Sequence, residues 1–188
     1  MLGKAAIAMW WDIAPDIRSE WEDWHTHEHF PERLAIPGFL RGSRWVSGEH
    51  YFVLYETESL DVITSGPYLA RLNDPTPWSR RMMPHHRNMV RSLCSIVSGH
   101  GTGIGNFVLT LRLPYADETL LKSLPAAHLL KSEKGRMPAQ TEEQKIRGGD
   151  ANADWIILVF ADDAQALQAT GHPQAIAGRY ALSYSKTP

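Results

Sequence analysis

The stretch WHTHEHFPERLAIPGF, residues 24–39, places His25, His27, Glu28 and His29 within five consecutive positions. Imidazole gives and takes protons near neutral pH, and a neighbouring carboxylate can orient the ring or exchange a proton with it. His25, Glu28 and His29 also fit the spacing H-x-x-E-H, which in some peptidases holds zinc through two imidazoles one turn apart on an unbroken helix. Here Pro31 follows two residues after His29, and no later helix offers an obvious acidic ligand. No metal is therefore expected. A second cluster, TPWSRRMMPHHRNMVR at residues 76–91, carries Arg80, Arg81, His85, His86, Arg87 and Arg91, interleaved with Trp78 and two methionines. Guanidinium groups pair bidentately with carboxylates, so these residues form a candidate anchor for an anionic, partly apolar ligand. The alternative is a solvated loop that pairs with the acidic residues Glu20, Glu22 and Asp23.

A helix must position the first cluster. Ile17, Trp21, Trp24 and Glu28 recur at helical spacing. At about 100° per residue, with Ile17 at zero, Trp21 falls at about 40°, Trp24 at about 340° and Glu28 at about 20°. On the same wheel His25 lies at about 80°, His29 at about 120° and His27 at about 280°. Glu28 thus sits on the apolar face, where a carboxylate is costly unless paired or protonated, with His25 and His29 on its flank. His27 belongs to the surface. The plainer reading is a helix end whose histidines bond the last carbonyls, with Glu28 paired to Arg33 or to the arginines of 80–91.

The remaining elements follow from pattern. Residues 4–11, KAAIAMWW, read as a strand. Pro31 and then Pro37-Gly38 end the helix. FLRGSRWVS and HYFVLYETE read as two strands turning at Gly48. A second helix opens on Ser59 as N-cap and bends near Gly66-Pro67, and MVRSLCSIVSG returns as a strand. The order then repeats without residue-level similarity. GNFVLTLRLP is a strand, DETLLKSLPAAHLLKS a helix containing Pro125, and MPAQTEEQKIRGG a polar loop or irregular strand. DWIILVFADD is a strand, DAQALQATG a short helix, and GRYALSYSK a final strand. Two β-α-β-β-α-β units predict an α+β fold, with helices on one face of antiparallel sheets. Residues 1–98 form the first unit and 106–188 the second, degenerate one. GHGTGIGN precedes a strand rather than a helix, so it is no dinucleotide fingerprint, and 99–105 is the glycine-rich linker.

Composition narrows the partners. The net charge of -2 in 188 residues and a pI of 6.5 argue against nucleic acid and membrane surfaces. No apolar run spans a bilayer, and the start of the chain reads as a strand rather than a signal peptide. A cytoplasmic protein is expected. Cys94, the one cysteine, lies in an apolar run and reads as a buried filler. Trp10, Trp11 and Trp45 read as core aromatics.

The run Trp24, four residues, His29-x-Pro31, five residues, Pro37-Gly38 resembles the signature of the EthD-like proteins of the dimeric α/β-barrel superfamily, whose units have ferredoxin-like topology. The resemblance covers about 16 residues closely and the element order loosely. It implies a sheet curled against a second sheet into a barrel, helices outside, and a cavity between sheet and helices that His29 faces as acid or base. The doubled length leaves open whether one subunit closes the barrel or a homodimer forms. His25 and Glu28 are extra to the usual pattern and favour proton chemistry.

The expectation is a small-molecule enzyme without metal or cofactor, of the lyase or isomerase kind, acting on an aromatic or carboxylate-bearing metabolite. An oxygenase of the same cofactor-free kind belongs to the same reading. His29 or His25 moves the proton, Glu28 orients the imidazole, and Trp24, Arg80, Arg81, His85 and His86 contact the substrate. The alternatives are a non-catalytic ligand-binding or structural barrel, and a haem protein, since some barrel relatives bind haem through histidine.

Overall fold

The computed structural model describes residues 1–136, 140–167 and 172–188. The run AAIAMWW in β1 (Ala5–Asp12) is apolar without alternation because both of its faces are covered. Ala6, Ala8 and Trp10 face one core, and Ile7, Met9 and Trp11 face another. Period-2 side chains on a twisted antiparallel sheet produce this division.

The other strands are β2 (Phe39–Ser47), β3 (His50–Thr57), β4 (Arg87–His100), β5 (Phe107–Leu113), β6 (Ala127–Ser132), β7 (Trp155–Ala161) and β8 (Ile176–Lys186). They close a barrel in the order β1-β3-β2-β8-β5-β7-β6-β4, with every neighbouring pair antiparallel. Each half therefore has its strands in the spatial order fourth, first, third, second. The halves join along β2–β8 and β4–β6. Closure leaves no sheet edge to be covered. Gly48, at φ +59, makes the tight turn between β2 and β3.

The barrel interior is filled. Trp10 and Trp45 lie 5.0 and 5.5 Å from Phe52, and Phe160 lies 5.9 Å from Trp45. Cys94 is buried in this core. Both indoles are satisfied, Trp10 donating to Thr110 Oγ1 at 3.1 Å and Trp45 to the Gly105 carbonyl at 3.1 Å. Room for a guest must therefore be sought outside the barrel, under the helices.

The first helical segment is α1 (Arg18–Trp24), a π-helical turn over His25–His29, and α2 (Phe30–Leu34). It runs past Pro31, where the sequence predicts unwinding. In the π turn the Phe30 N–H reaches back five residues to the His25 carbonyl. The wider turn shifts the backbone partners around Pro31, whose ring and missing N–H would break a tighter helix. The second helix starts later than expected. Ser65 rather than Ser59 is the N-cap, accepting from the Tyr68 N–H at 3.4 Å, and α3 covers Gly66–Asn73 with Pro67 in its first turn. Part of the 76–91 stretch is itself helical, as α4 (Pro77–Met82).

In the second half α5 (Glu118–Ser123) stops before Pro125, and AHLLKS is strand β6, so the helix predicted across 117–132 is really a short helix and a strand. Proline ends the helix, and the burial of Ala127, Leu129 and Leu130 in the sheet decides the rest. The polar stretch after 136 contains α6 (Glu142–Ile146), closed by a capping box between Thr141 and Gln144; residues 137–139 lie outside the described residues. Of the helix predicted at 163–171, Ala164–Leu167 form a 3-10 turn, and 168–171 are outside the described residues.

Candidate functional site

The first-half helices cover the outer face of β1, β3 and β4. The layer between is built from rings. Trp21 and Trp24 project from α1 at 0% exposure, and His25 follows at 1%. Trp21 stacks on His25 at 4.6 Å, His25 on His29 at 5.4 Å, and Trp24 lies 4.7 Å from His29. Trp11 reaches up from β1 to within 4.9 Å of His86 and 5.9 Å of His25. The π turn brings His25 and His29 to face each other. The wheel instead places His25 on the flank and His29 at the edge.

The three rings differ in their bonding. The His86 Nδ1 lies 3.0 Å from the Met83 carbonyl, and its Nε2 accepts from the Trp21 indole at 3.3 Å, which assigns the neutral Nδ1–H tautomer. His25 Nδ1 faces the Arg44 guanidinium at 3.3 Å. His29 Nδ1 is sealed from solvent and has no partner among the described residues. Burial holds all three rings neutral. It pushes His86 down to about 3, with Arg147 adding to the effect. It also holds His25 and His29 well below the ordinary value, with Arg44 and Arg33 respectively adding repulsion.

Glu28 points toward α4. Its Oε1 accepts from the Trp24 indole at 3.0 Å, from the Thr76 hydroxyl at 2.5 Å and from the Ser79 hydroxyl at 3.3 Å. Thr76 is also the N-cap of α4, accepting from the Ser79 N–H at 3.0 Å. The carboxylate thus joins the π turn to α4, and neither Arg33 nor the arginines of 80–91 is its partner in these bonds. His27 is exposed and bonds Asp23 at 2.8 Å.

Of the four cationic residues expected to contact substrate, His86 turns inward. Arg80, Arg81 and His85 are exposed, and Arg81 meets Glu20 at 3.7 Å. The resemblance implies open space between helices and sheet at the histidines, but this layer is occupied by Trp11, Trp21, Trp24 and Phe30, each 3% exposed or less. An open cleft of about 720 Å³ lies on the other side of α1, with Glu22, Asp23, Thr26 and Arg44 among its lining. Arg44 connects the two, with one guanidinium reaching that cleft and the His25 ring.

Five buried charges lie beside the rings, of which the sequence reading named Arg33 and Arg91 but not Glu143, Arg147 or Asp150. Arg33 of α2 pairs with Glu143 of α6, both nearly inaccessible. Arg147 forks onto Asp150 at 2.7 Å through two nitrogens. Burial pulls the Asp150 carboxyl up, but Arg147 and Arg91 hold it below its ordinary value. Arg91 of β4 donates to the Tyr68 hydroxyl at 2.9 Å. Arg33 Nη1, Arg91 Nη1, the Tyr55 hydroxyl and Trp11 Nε1 are buried without partners among the described residues. Each unmade bond of this kind costs roughly 1–3 kcal/mol. A signal existed for Arg91. In MVRSLCS it alternates with Met89 and Leu93, so a guanidinium lies on a strand face that helices bury.

Among the described residues, no group of three or more His, Cys, Asp or Glu is placed to hold a metal ion. His25 is stacked between Trp21 and His29, and both nitrogens of His86 are engaged, so His86 as it stands offers no nitrogen to a haem iron. No helix among the described residues is long and apolar enough to cross a membrane.

No family model matches the chain, and no curated protein matches it in sequence. Solved structures do match in shape. An anthrone oxidase-like protein superposes with a TM-score of 0.61 at 13% identity, covering 97% of this chain and 92% of the other. A candidate monooxygenase of Fusobacterium nucleatum subsp. nucleatum superposes with a TM-score of 0.53 at 7% identity, covering 97% and 93%. At such identities the likeness shows the fold alone, an α+β fold with a closed eight-stranded antiparallel barrel.

Proposed function

We propose that this chain is a small-molecule enzyme, independent of metal and cofactor, in which His29 takes a proton from an aromatic, acid-bearing metabolite. The observation that carries the reading is the His29 Nδ1, a neutral imidazole nitrogen sealed from water with no partner among the described residues. A ring so held is a weak base while the layer is empty of anions. Arg33 is the largest electrostatic cause after burial itself. An anionic substrate beside Arg33 offsets that repulsion and raises the basicity of the ring when substrate is present. His25 stacks on His29 and is itself set by Arg44, and Glu28 holds the turn that carries both. Trp24 forms the wall.

Two reaction classes follow from such a proton transfer. In a lyase or isomerase the carbanion eliminates a group or is reprotonated elsewhere. In a cofactor-free oxygenase a methylene and dioxygen give a carbonyl and water. The names of the two fold neighbours favour the second. EthD-like ancestry belongs to the same proposal, as do tandem ferredoxin-like units over 1–98 and 106–188 joined at 99–105. The strand order common to the two halves supports it. A barrel closed within one chain needs no second copy to complete it.

The test is a panel of aromatic acids and phenols with acidic C–H bonds, followed by mass spectrometry in air and under argon. Turnover is expected, and His29→Ala should abolish it while leaving far-ultraviolet circular dichroism unchanged. Unchanged turnover in that variant rejects the assignment. Saturable binding with no product anywhere in the panel identifies a non-catalytic receptor instead.

A further inference from the structure

Arg33 in α2, Tyr55 in β3 and Arg91 in β4 come from three elements and meet in one buried layer. Tyr55 pairs with Ile7 and Arg91 with Met9 on either side of β1, on the face that the helices cover, Phe39 joins Tyr55 to Tyr68, and Phe30, one turn before Arg33, lies 5.3 Å from Tyr55. Arg33, Tyr55 and Arg91 are each 2% exposed or less. One arm of Arg33 is held by Glu143 and one arm of Arg91 by the Tyr68 hydroxyl. Among the described residues Arg33 Nη1, Arg91 Nη1 and the Tyr55 hydroxyl have no partner.

Arg147 takes up Asp150 and lies 3.9 Å from Glu143. Glu32 meets Arg71 at 3.9 Å and has Arg33 as its strongest neighbouring charge. Buried guanidinium groups are normally paired and fully bonded. Here one NH2 group each of Arg33 and Arg91 and one O–H group lack their complement. A single carboxylate supplies it, with several lone pairs on two oxygens and one negative charge. The surrounding wall is aromatic: Phe39 lies 5.9 Å from Tyr55 and 5.5 Å from Tyr68, and Phe30 lies 5.3 Å from Tyr55.

We propose that Arg33, Arg91 and Tyr55 form the subsite for the carboxylate of an aromatic acid, completed by α6 of the second half through Glu143. The exposed Arg80, Arg81 and His85 have no part in it. Side chains close over the three groups, so the acid enters by parting them. The inference deepens the proton-transfer reading by naming its substrate class, and it rests on that reading only for catalytic meaning. Its test needs no turnover.

The whole chain is titrated calorimetrically with benzoate and, separately, with the uncharged benzamide. Saturable binding of benzoate is expected, at least tenfold tighter than benzamide. Arg91→Met should weaken benzoate at least tenfold, and Arg91→Lys should recover part of the loss. Equal affinity in Arg91→Met, or no saturable benzoate binding to the unaltered protein, overturns the proposal. Should Arg91→Met fail to fold, crystals of the unaltered protein grown with 4-iodobenzoate decide the matter through the anomalous signal of iodine. A carboxylate between Arg33 and Arg91 supports the subsite, and any other position overturns it. Loss of this subsite leaves the His29 assignment to stand or fall on the turnover of His29→Ala.

Discussion

Glu143→Gln probes how the second half supports the helices of the first. The Arg33–Glu143 pair spans 110 positions of sequence, and its side chains are 3% and 4% exposed. Glutamine keeps the shape and a hydrogen-bonding oxygen but leaves Arg33 charged, buried and unpaired, beside Arg91 and Arg147. Breaking a buried pair from one side costs about 3–5 kcal/mol, because the surviving charge keeps its desolvation penalty. With 188 residues and about 2.1 cal/mol/K of unfolding entropy per residue, the expected fall in Tm is about 8–13 °C. Calorimetric melting and urea titration read it. The double variant Arg33→Met/Glu143→Leu removes both charges and should lose less than half as much. Sodium chloride at 0.5 M should change the difference little, since a sealed pair is poorly screened. A single variant within about 1 kcal/mol of the unaltered protein, well below the range for breaking a sealed pair, would refute the reasoning. So would a double variant worse than the single.

Acid should destabilise the fold through His25, which is buried, and His29 and His86, which are partly buried. Below the unfolded value of about 6.5, the unfolded chain binds protons that His25, His29 and His86 refuse in the folded state. Stability is therefore complete above that pH and is lost as pH falls toward the folded values, by up to about 1.4 kcal/mol per unit per ring. For His86 this continues down to about 3; urea midpoints at pH 7.5 and 5.5 that coincide would contradict it. Thr76→Ala removes both the α4 cap and the 2.5 Å bond to Glu28, and should cost about 1–3 kcal/mol in urea unfolding. In Gly42→Ala the new methyl group would run into the Phe30 ring beneath α2, with an expected loss of about 1–3 kcal/mol from overpacking. A neutral effect on its melting curve would show that α2 is not seated on β2 as described.

Local pattern made much of this legible. The strand at 4–11, the turn at Gly48 and the apolar run at 155–160 follow from β-period burial and turn chemistry, which nearby residues carry. That His25 flanks the buried face was legible because tryptophans at helical spacing mark that face; the same wheel left His29 at its edge. The π turn was not, since widening by one residue depends on what the helix packs against. Nor was the strand at 127–132, where sheet pairing overrides the helical propensity of AHLLKS.

By itself the sequence determined that an imidazole pair and a carboxylate share one short helical stretch over an apolar face. Only the tertiary structure decided their partners. Glu28 is satisfied by Thr76 and Ser79, 48 and 51 residues away, and Arg33 by Glu143, 110 residues away. The reason is electrostatic. A charge inside a barrel's helical layer is set by whatever the closing strands and α6 bring against it, and closure joins residues that no window of sequence contains.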